Sequence, residues 1–231
     1  VGSAAADQGA GVLAALRAGV RDFLDIDAPA EEIQAVLRRV LAQSASARAG
    51  LAAVPPANKG RLVLMLGARA GVGASTLAAH LGVLAQEAMG RGAEEEVAES
   101  NRMLLLGLGR PGGDLGLYLG AESSFHYDDA LRNAARFDGT LARTAMTRHD
   151  SGLALLDQAV TAVEPPAGGG EAAVLLDRLR GIFDLLLCDA GGLPGPQVPL
   201  PLLKNADEIW LVADQGIATL VSLDKLLKEL E

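Results

Sequence analysis

The stretch Leu62-Val-Leu-Met-Leu66, followed by Gly67-Ala-Arg-Ala-Gly-Val-Gly-Ala-Ser-Thr76, decides the fold class of this chain. The apolar run is typical of a buried strand, and the residues from Leu77 onward recur with helical spacing. A strand, a glycine-rich loop and a helix in this order form the layout of a phosphate-binding loop. The sequence therefore predicts an α/β domain with an anion site where the helix begins.

The loop itself predicts how a phosphate group is held. The predicted cofactor-binding residues are Arg69, Gly71, Val72, Gly73, Ala74, Ser75 and Thr76. The two glycines permit the backbone angles that turn N–H groups toward an anion, and Ser75 is the predicted Mg²⁺ residue of the loop. Ala74 stands where such a loop normally carries its lysine. A strand-to-helix turn that has lost its ligand is therefore the alternative reading.

A second apolar strand ends in an acidic residue. The segment reads Phe183-Asp-Leu-Leu-Leu-Cys-Asp189 and is followed by Ala190-Gly-Gly192. An aspartate at this place in phosphate-loop proteins lies beside the loop and orients Mg²⁺ through water. Asp189 is therefore the second predicted metal residue, together with Ser75.

Composition narrows the class of protein. The 231 residues are half hydrophobic and carry a net charge of −9, which argues against sequence-independent binding to DNA.

The single cysteine, Cys188, lies in an apolar strand pattern and is predicted to fill the core of a protein in a reducing cytosol. His126 and His149 have no Cys or His at ligand spacing, so no metal role is predicted for them. No apolar run has the length of a membrane span.

Strands and helices alternate after residue 60. The strand candidates are 61–67, 102–106, 152–156, 184–189 and 208–213, and the helix candidates are 75–90, 171–181 and 217–230. Near-continuous apolar strands between amphipathic helices predict a mostly parallel sheet covered by helices on both faces. Upstream, the pattern of residues 10–43 predicts a helix, a short strand and a second helix. Residues 44–60 are predicted to form a linker, because they are rich in small residues and proline.

Several segments together resemble the ParA/MinD group of deviant phosphate-loop ATPases. They are 68–76, 147–153, 183–189 and 206–215. Within that group the chain is similar to the CpaE/TadZ branch, which is associated with assembly and polar placement of Flp (Tad) pili. Segment 16–24 is similar to the end of a receiver domain, a module that TadZ-like proteins carry before the ATPase module.

The resemblance implies a domain organisation. An incomplete receiver-like segment occupies 1–43, the linker follows, and a ParA/MinD-like ATPase domain, expected to be incomplete at its C-terminus, covers 61–231. Ile26 stands at the expected receiver lysine position, and the phospho-acceptor region would lie before Val1. The upstream segment is therefore expected to pack or dimerise rather than to be phosphorylated.

The chain departs from the group at the charges that support hydrolysis. The signature lysine is replaced by Arg69, and a second lysine by Ala74. Gly107 and Gly109 stand where the group carries two aspartates, and the nearest acid, Asp114, is expected to belong to the next turn. Because phosphoryl transfer depends on charge neutralisation, the resemblance implies very slow or absent hydrolysis. No catalytic residue is predicted, apart from Arg69 as a substitute for the signature lysine.

The implied function is that of an assembly or localisation factor for a Flp (Tad) type IV pilus secretion system. The expected cofactors are ATP and Mg²⁺, weakly bound, and the expected partners are a second copy of the chain and pilus-secretion components. A cytoplasmic protein is expected, at the pole or the inner-membrane face by peripheral association, without nucleic acid. The alternatives are an active nucleotide-switch ATPase using Arg69 in a dimer, and a ParA-like positioning protein of another secretion or motility pathway.

Overall fold

The computed structural model describes residues 2–3, 23–24, 29, 31–32, 34–35, 38, 59–90, 103–161 and 169–230. The chain divides into two compact units. One comprises Val1–Ala57 with Ala213–Val221, and the other comprises Asn58–Val212 with Ser222–Glu231. The second unit contains the phosphate-loop segment and all of the larger sheet.

The first unit contains a short parallel pair of strands, β1 (Gly2–Ser3) and β2 (Phe23–Leu24). The strand predicted near residue 24 is therefore confirmed for its last two residues. Helical residues are present within 31–38, where Arg38 donates to Gln34 at 3.3 Å. Most of the predicted linker 44–60 lies outside the described residues. The receiver-like character of 1–43 and the domain limits stay predictions.

The second unit is built on a six-stranded sheet. Its strands are β3 (Arg61–Gly67), β4 (Met103–Gly107), β5 (Thr147–Arg148), β6 (Ala154–Asp157), β7 (Leu185–Asp189) and β8 (Glu208–Val212). The strand order is β5-β6-β4-β7-β3-β8, and every pairing is parallel except that of β5 with β6. The predicted mostly parallel sheet is confirmed. The antiparallel edge strand β5 was not predicted, because two residues are too few to carry a period-two pattern.

Helices alternate with the strands along the chain. They are α1 (Ala74–Gly90), α2 (Asp114–Leu119), α3 (Tyr127–Arg132), α4 (Gly139–Ala145), α5 (Gly170–Ile182), α6 (Leu200–Asn205) and α7 (Ile217–Leu230). Single 3-10 turns lie at Ala134–Arg136 and Gly195–Gln197. The three long predicted helices are confirmed as α1, α5 and α7. The shorter helices have too few turns for their apolar spacing to stand out in the sequence.

Alternating residues of β3 belong to two different core clusters. Leu62, Leu64 and Leu66 pack in one cluster, whereas Val63 and Met65 pack in the other. Successive side chains of a strand point to opposite faces, so both faces of the sheet are covered. Burial on both faces explains why the strands read as continuous apolar runs instead of alternating ones.

The register of the parallel strands collects their C-terminal residues at one edge of the sheet. Gly107 at the end of β4 pairs with Asp157 on one side and with Asp189 on the other. Met65, two residues before the end of β3, pairs with Asp189. The loop that follows β3 therefore emerges at the edge where two buried aspartates end their strands.

Candidate functional site

Two glycines in the loop between β3 and α1 adopt backbone angles that favour glycine. Gly71 and Gly73 both have φ of 86°, in the left-handed region that residues with a side chain rarely adopt. Ala68 N–H donates to Val212 O at 2.8 Å, which ties the start of the loop to β8. The helix then begins at Ala74, and the first N–H groups of a helix lack partners within the helix.

Ser75 and Asp189 lie in direct contact at this edge. The Ser75 hydroxyl and the Asp189 carboxylate are hydrogen-bonded, and Gly191 N–H donates to Asp189 Oδ1 at 2.9 Å. The Asp189 side chain is only 1% exposed. Burial raises the pKa of Asp189 and the negative charge of Asp114 adds to this, while the two hydrogen bonds oppose it. A cation placed here would relieve the cost of burying the charge.

The turn after β7 packs closely on the first turn of α1. A Cβ atom on Gly191 would lie 3.0 Å from Ala74 Cβ, 3.0 Å from Asp189 Oδ1 and 3.3 Å from Ser75 Oγ. A side chain at position 191 would therefore push the serine, the aspartate or Ala74 away by a few tenths of an ångström. The absence of a side chain at Gly191 therefore allows the turn after β7 to pack closely on the phosphate loop.

The donor set fits Mg²⁺. Mg²⁺ in nucleotide sites takes one or two protein oxygens and completes its shell with waters and substrate phosphates. Ser75 Oγ and Asp189 are oxygen donors of this kind, held side by side. Among the residues that the structure describes, no group of three or more His, Cys, Asp or Glu side chains could hold a metal ion. An Mg²⁺ ion at this edge would complete its shell with waters and with oxygens of a nucleotide.

The remaining predicted loop residues differ in exposure. Arg69 and Thr76 are exposed and Val72 is half-buried, whereas Ala74 is buried. Within the described part of the chain, Arg69 has no ion-pair partner in the structure. The side chain at 74 lies against the turn after β7, so a small methyl group stands where a lysine side chain would begin. The roles of all seven loop residues stay predictions.

Two further aspartates belong to this edge and were not assigned to it by the sequence. Asp114 was expected to belong to the next turn, but it is the first residue of α2 and its charge reaches Asp189. Asp157 ends β6, is 4% exposed, and was not singled out at all. Asp157 closes an apolar strand just as Asp189 does, and that shared pattern is the signal that could have found it.

Burial raises the pKa of Asp157 from 3.8 to about 6, and the nearby charge of Asp189 acts in the same direction. Backbone N–H groups of Gly116, Gln158 and Gly113 oppose the shift. The carboxylate accepts from Gln158 N–H at 2.8 Å and from Gly116 N–H at 3.2 Å. Two buried carboxylates with raised pKa values therefore flank Gly107 at the carboxyl edge of the sheet.

Other candidate groups do not form a site. His149 makes a local turn, in which its Nδ1 accepts from Ser151 N–H at 3.1 Å. At the opposite edge of the sheet a shallow groove is lined by Lys59, Arg180 and their neighbours. Both basic side chains form ion pairs, Lys59 with Asp177 and Arg180 with Asp207 at 2.9 Å. Within the described ranges of the chain, no helix combines the length and apolarity needed to cross a bilayer.

Comparison with solved structures identifies the fold. The chain is similar to the crystal structure of a ParA family ATPase from Chlorobium tepidum TLS, with a TM-score of 0.62 and 22% sequence identity. The match covers 74% of this chain and 67% of that one. No family model matches the sequence, and no curated protein matches it. The fold is therefore ParA-like, as the resemblance of the loop and strand segments implies.

Proposed function

We propose that this protein is a ParA/MinD-like assembly or localisation factor that binds Mg²⁺·ATP weakly and hydrolyses it very slowly or not at all. The observation that carries the proposal is the hydrogen bond of Ser75 with Asp189, beside a loop with two left-handed glycines, at a site where position 74 is alanine. These features support a site for Mg²⁺ and phosphate that lacks one of its main positive charges.

The size of this loss favours binding over turnover. One charge-assisted contact to phosphate contributes roughly 1.5–3 kcal/mol, so its absence weakens a nucleotide complex without abolishing it. Backbone N–H groups of the loop and a metal held near Ser75 still provide attraction. Hydrolysis depends more strongly on charge placed around the transferred phosphoryl group, and Gly107 and Gly109 offer no side chain there.

For the cellular role we propose the CpaE/TadZ kind of function, on the resemblance of the sequence. The protein would form homodimers and recruit or place components of a Flp (Tad) pilus secretion system, at a cell pole or the inner-membrane face. The receiver-like segment 16–24 is the feature that favours this pathway. A ParA-like positioning role in another secretion or motility pathway is the alternative that the same fold supports.

The test is isothermal titration of the full chain with Mg²⁺·ATP, with light scattering on the same sample. The expected result is weak binding with a shift from monomer toward dimer, and phosphate release close to the buffer rate. Absence of any nucleotide binding would overturn the proposed cofactor. Brisk turnover would overturn the proposed degenerate site.

A second function, an active nucleotide switch, is favoured by one observation. Arg69 is exposed in the loop and, among the described residues, has no ion-pair partner, so its guanidinium is available to a phosphate of a neighbouring copy. In that case Arg69→Ala abolishes turnover, whereas Arg69→Lys retains part of it. An Arg69→Ala variant that hydrolyses ATP as fast as the parent rules this function out.

A further inference from the structure

The absent side chain of Gly107 makes room for a carboxylate from the neighbouring strand. A Cβ atom on Gly107 would lie 2.2 Å from Asp157 Oδ1 and 2.8 Å from Leu115 Cδ1. Gly107 and Asp157 are register partners of parallel strands, so their side-chain directions lie on the same face of the sheet. Asp157 therefore places its carboxylate where a residue at 107 would place its own side chain.

The same carboxylate holds the start of α2. Asp157 Oδ2 accepts from Gly116 N–H at 3.2 Å, in the first turn of that helix. The preceding residue of the helix entry, Gly113, has φ of 84°. A Cβ atom there would lie 2.4 Å from Val160 Cγ2, so the helix entry is packed closely on the chain after β6. Asp157 thus fixes where α2 begins.

The segment from β4 to α2 is anchored at its other end by the strand that carries Asp189. Leu108 N–H donates to Asp189 O at 2.8 Å, and Arg110 N–H donates to Gly191 O at 2.7 Å. Between these anchors and Gly116 lies Asp114, whose charge acts on Asp189. The Asp157 carboxylate at one end, and the β7 backbone at Asp189 and Gly191 at the other, therefore hold the segment that borders the predicted Mg²⁺ site.

We propose that Asp157 is a positioning residue of the nucleotide site: its carboxylate, entering beside Gly107, fixes the β4–α2 segment and so places Asp114 next to Asp189. The inference rests on the proposed binding of Mg²⁺·ATP. In this proposal Asp157 of β6 supplies a carboxylate at the end of β4, where Gly107 has no side chain.

The burial of this carboxylate has an energetic cost that a nearby cation would reduce. An ionised carboxylate that is 4% exposed is costly to bury, and the pKa raised to about 6 reflects this cost. The neighbouring charge of Asp189 increases it. A divalent cation on the nucleotide would relieve repulsion among these carboxylates, so Asp157 should affect binding more strongly with Mg²⁺ than without it.

The first arm of the test compares two matched variants of the full chain. Asp157→Asn keeps the size of the side chain and removes its charge. Asp138→Asn is the control, because Asp138 also caps a helix start, accepting from Leu141 N–H at 2.8 Å. The control position also lies away from the phosphate loop. Its neighbours Phe137 and Ala142 belong to the core cluster on one face of the sheet, whereas Ala74 belongs to the cluster on the other face. Binding of N-methylanthraniloyl-ATP is measured by fluorescence with Mg²⁺ and again with EDTA, and folding is checked by thermal unfolding.

The expected result is that Asp157→Asn weakens Mg²⁺-dependent binding about tenfold and changes binding in EDTA much less. Asp138→Asn should leave both affinities at the parent values. In the absence of nucleotide, amide hydrogen exchange at Gly116 should accelerate only in Asp157→Asn. Parent-like Mg²⁺-dependent binding by Asp157→Asn overturns the inference. Failure of the parent to bind nucleotide overturns the proposed function, and the inference with it.

The second arm of the test transfers the carboxylate from position 157 on β6 to position 107 on β4. Gly107→Asp alone should destabilise the protein, since its side chain meets Asp157, and Asp157→Gly alone should lose Mg²⁺-dependent affinity. The reciprocal variant Gly107→Asp/Asp157→Gly should recover most of that affinity and of the thermal stability. A double variant whose losses are simply the sum of those of the single variants shows that the two positions do not share one place, and overturns the inference.

Discussion

The side chain at position 74 sets the strength of the proposed phosphate site. Ala74 is buried against the turn after β7, and no cation stands there to meet the β- and γ-phosphates. A lysine has a long apolar stem that can leave such a position while its ammonium reaches the ligand. The substitution Ala74→Lys therefore asks whether one charge accounts for weak binding.

Ala74→Lys is expected to raise the affinity for Mg²⁺·ATP by about tenfold to a hundredfold, the equivalent of one charge-assisted contact. Titration calorimetry measures the change. Ala88→Lys is the matched control, because it adds the same charge to an exposed position near the far end of α1. Equal affinities for the two variants would show that net charge, and not the position, controls binding.

The titration of Asp157 predicts how stability depends on pH. Its pKa is raised from 3.8 to about 6, so the folded protein binds this proton more tightly than the unfolded chain does. The resulting stabilisation is fully present below about pH 4 and is lost as the pH rises through about 6. The shift corresponds to about 3 kcal/mol of unfolding free energy across that window.

Asp157→Asn should remove most of this fall in stability between pH 4 and pH 7, measured by urea unfolding without nucleotide or Mg²⁺. The comparison with the parent is essential because the pKa values of Asp129 and Asp177 are lowered, mainly by hydrogen bonds from the His126 backbone and from Lys59. Those groups stabilise the fold as the pH rises and offset part of the effect. Parallel pH profiles for parent and variant would contradict the assignment to Asp157.

At the level of helices and strands, the site depends on the fit between the turn after β7 and the first turn of α1. Gly191→Ala is expected to weaken Mg²⁺·ATP binding, because the added methyl group meets Asp189 Oδ1 at 3.0 Å and Ser75 Oγ at 3.3 Å. Separating these two groups removes the paired oxygens that suit Mg²⁺. Calorimetric titration of the variant with Mg²⁺·ATP measures the loss.

Gly181→Ala is the control for this experiment. Gly181 lies near the end of α5, and a Cβ atom there has nothing within 4 Å. Alanine at that position should leave nucleotide binding unchanged. It should raise the unfolding free energy by about 0.5 kcal/mol, because glycine in a helix loses more conformational freedom on folding than alanine does. If both glycine variants bind alike, the contact of Ser75 with Asp189 is not needed for binding.

For the protein as a unit, stability comes from the two core clusters that enclose the sheet. Leu105 lies in the middle of β4, is 0% exposed, and belongs to the cluster under α1. Leu105→Ala is expected to lower the unfolding free energy by about 2–5 kcal/mol, through lost burial and the cavity that remains. Chemical denaturation followed by circular dichroism measures this change.

Leu117→Ala provides the matched comparison, since the same side chain is 78% exposed on α2. Its removal should change the unfolding free energy by no more than about 0.5 kcal/mol. Similar losses for the two variants would mean that burial in the central sheet does not dominate stability.

The sequence by itself determined the parts of this protein that are encoded locally. Apolar runs placed five parallel strands to within two residues, helical spacing placed the three long helices, and Gly71 and Gly73 marked the turn between β3 and α1. Each of these signals is contained in a short window, because strand and helix periods repeat over a few residues. The upstream segment and the domain limits stay predictions.

Only the tertiary structure decided which distant residues meet at the site. The contact of Ser75 with Asp189, the approach of Asp114, and the entry of the Asp157 carboxylate beside Gly107 join positions on different strands and loops. Strand order and register set these contacts, and a shift of one residue would turn each side chain to the other face. That information is not present in any single window of the chain. It follows from packing the whole sheet between its two layers of helices.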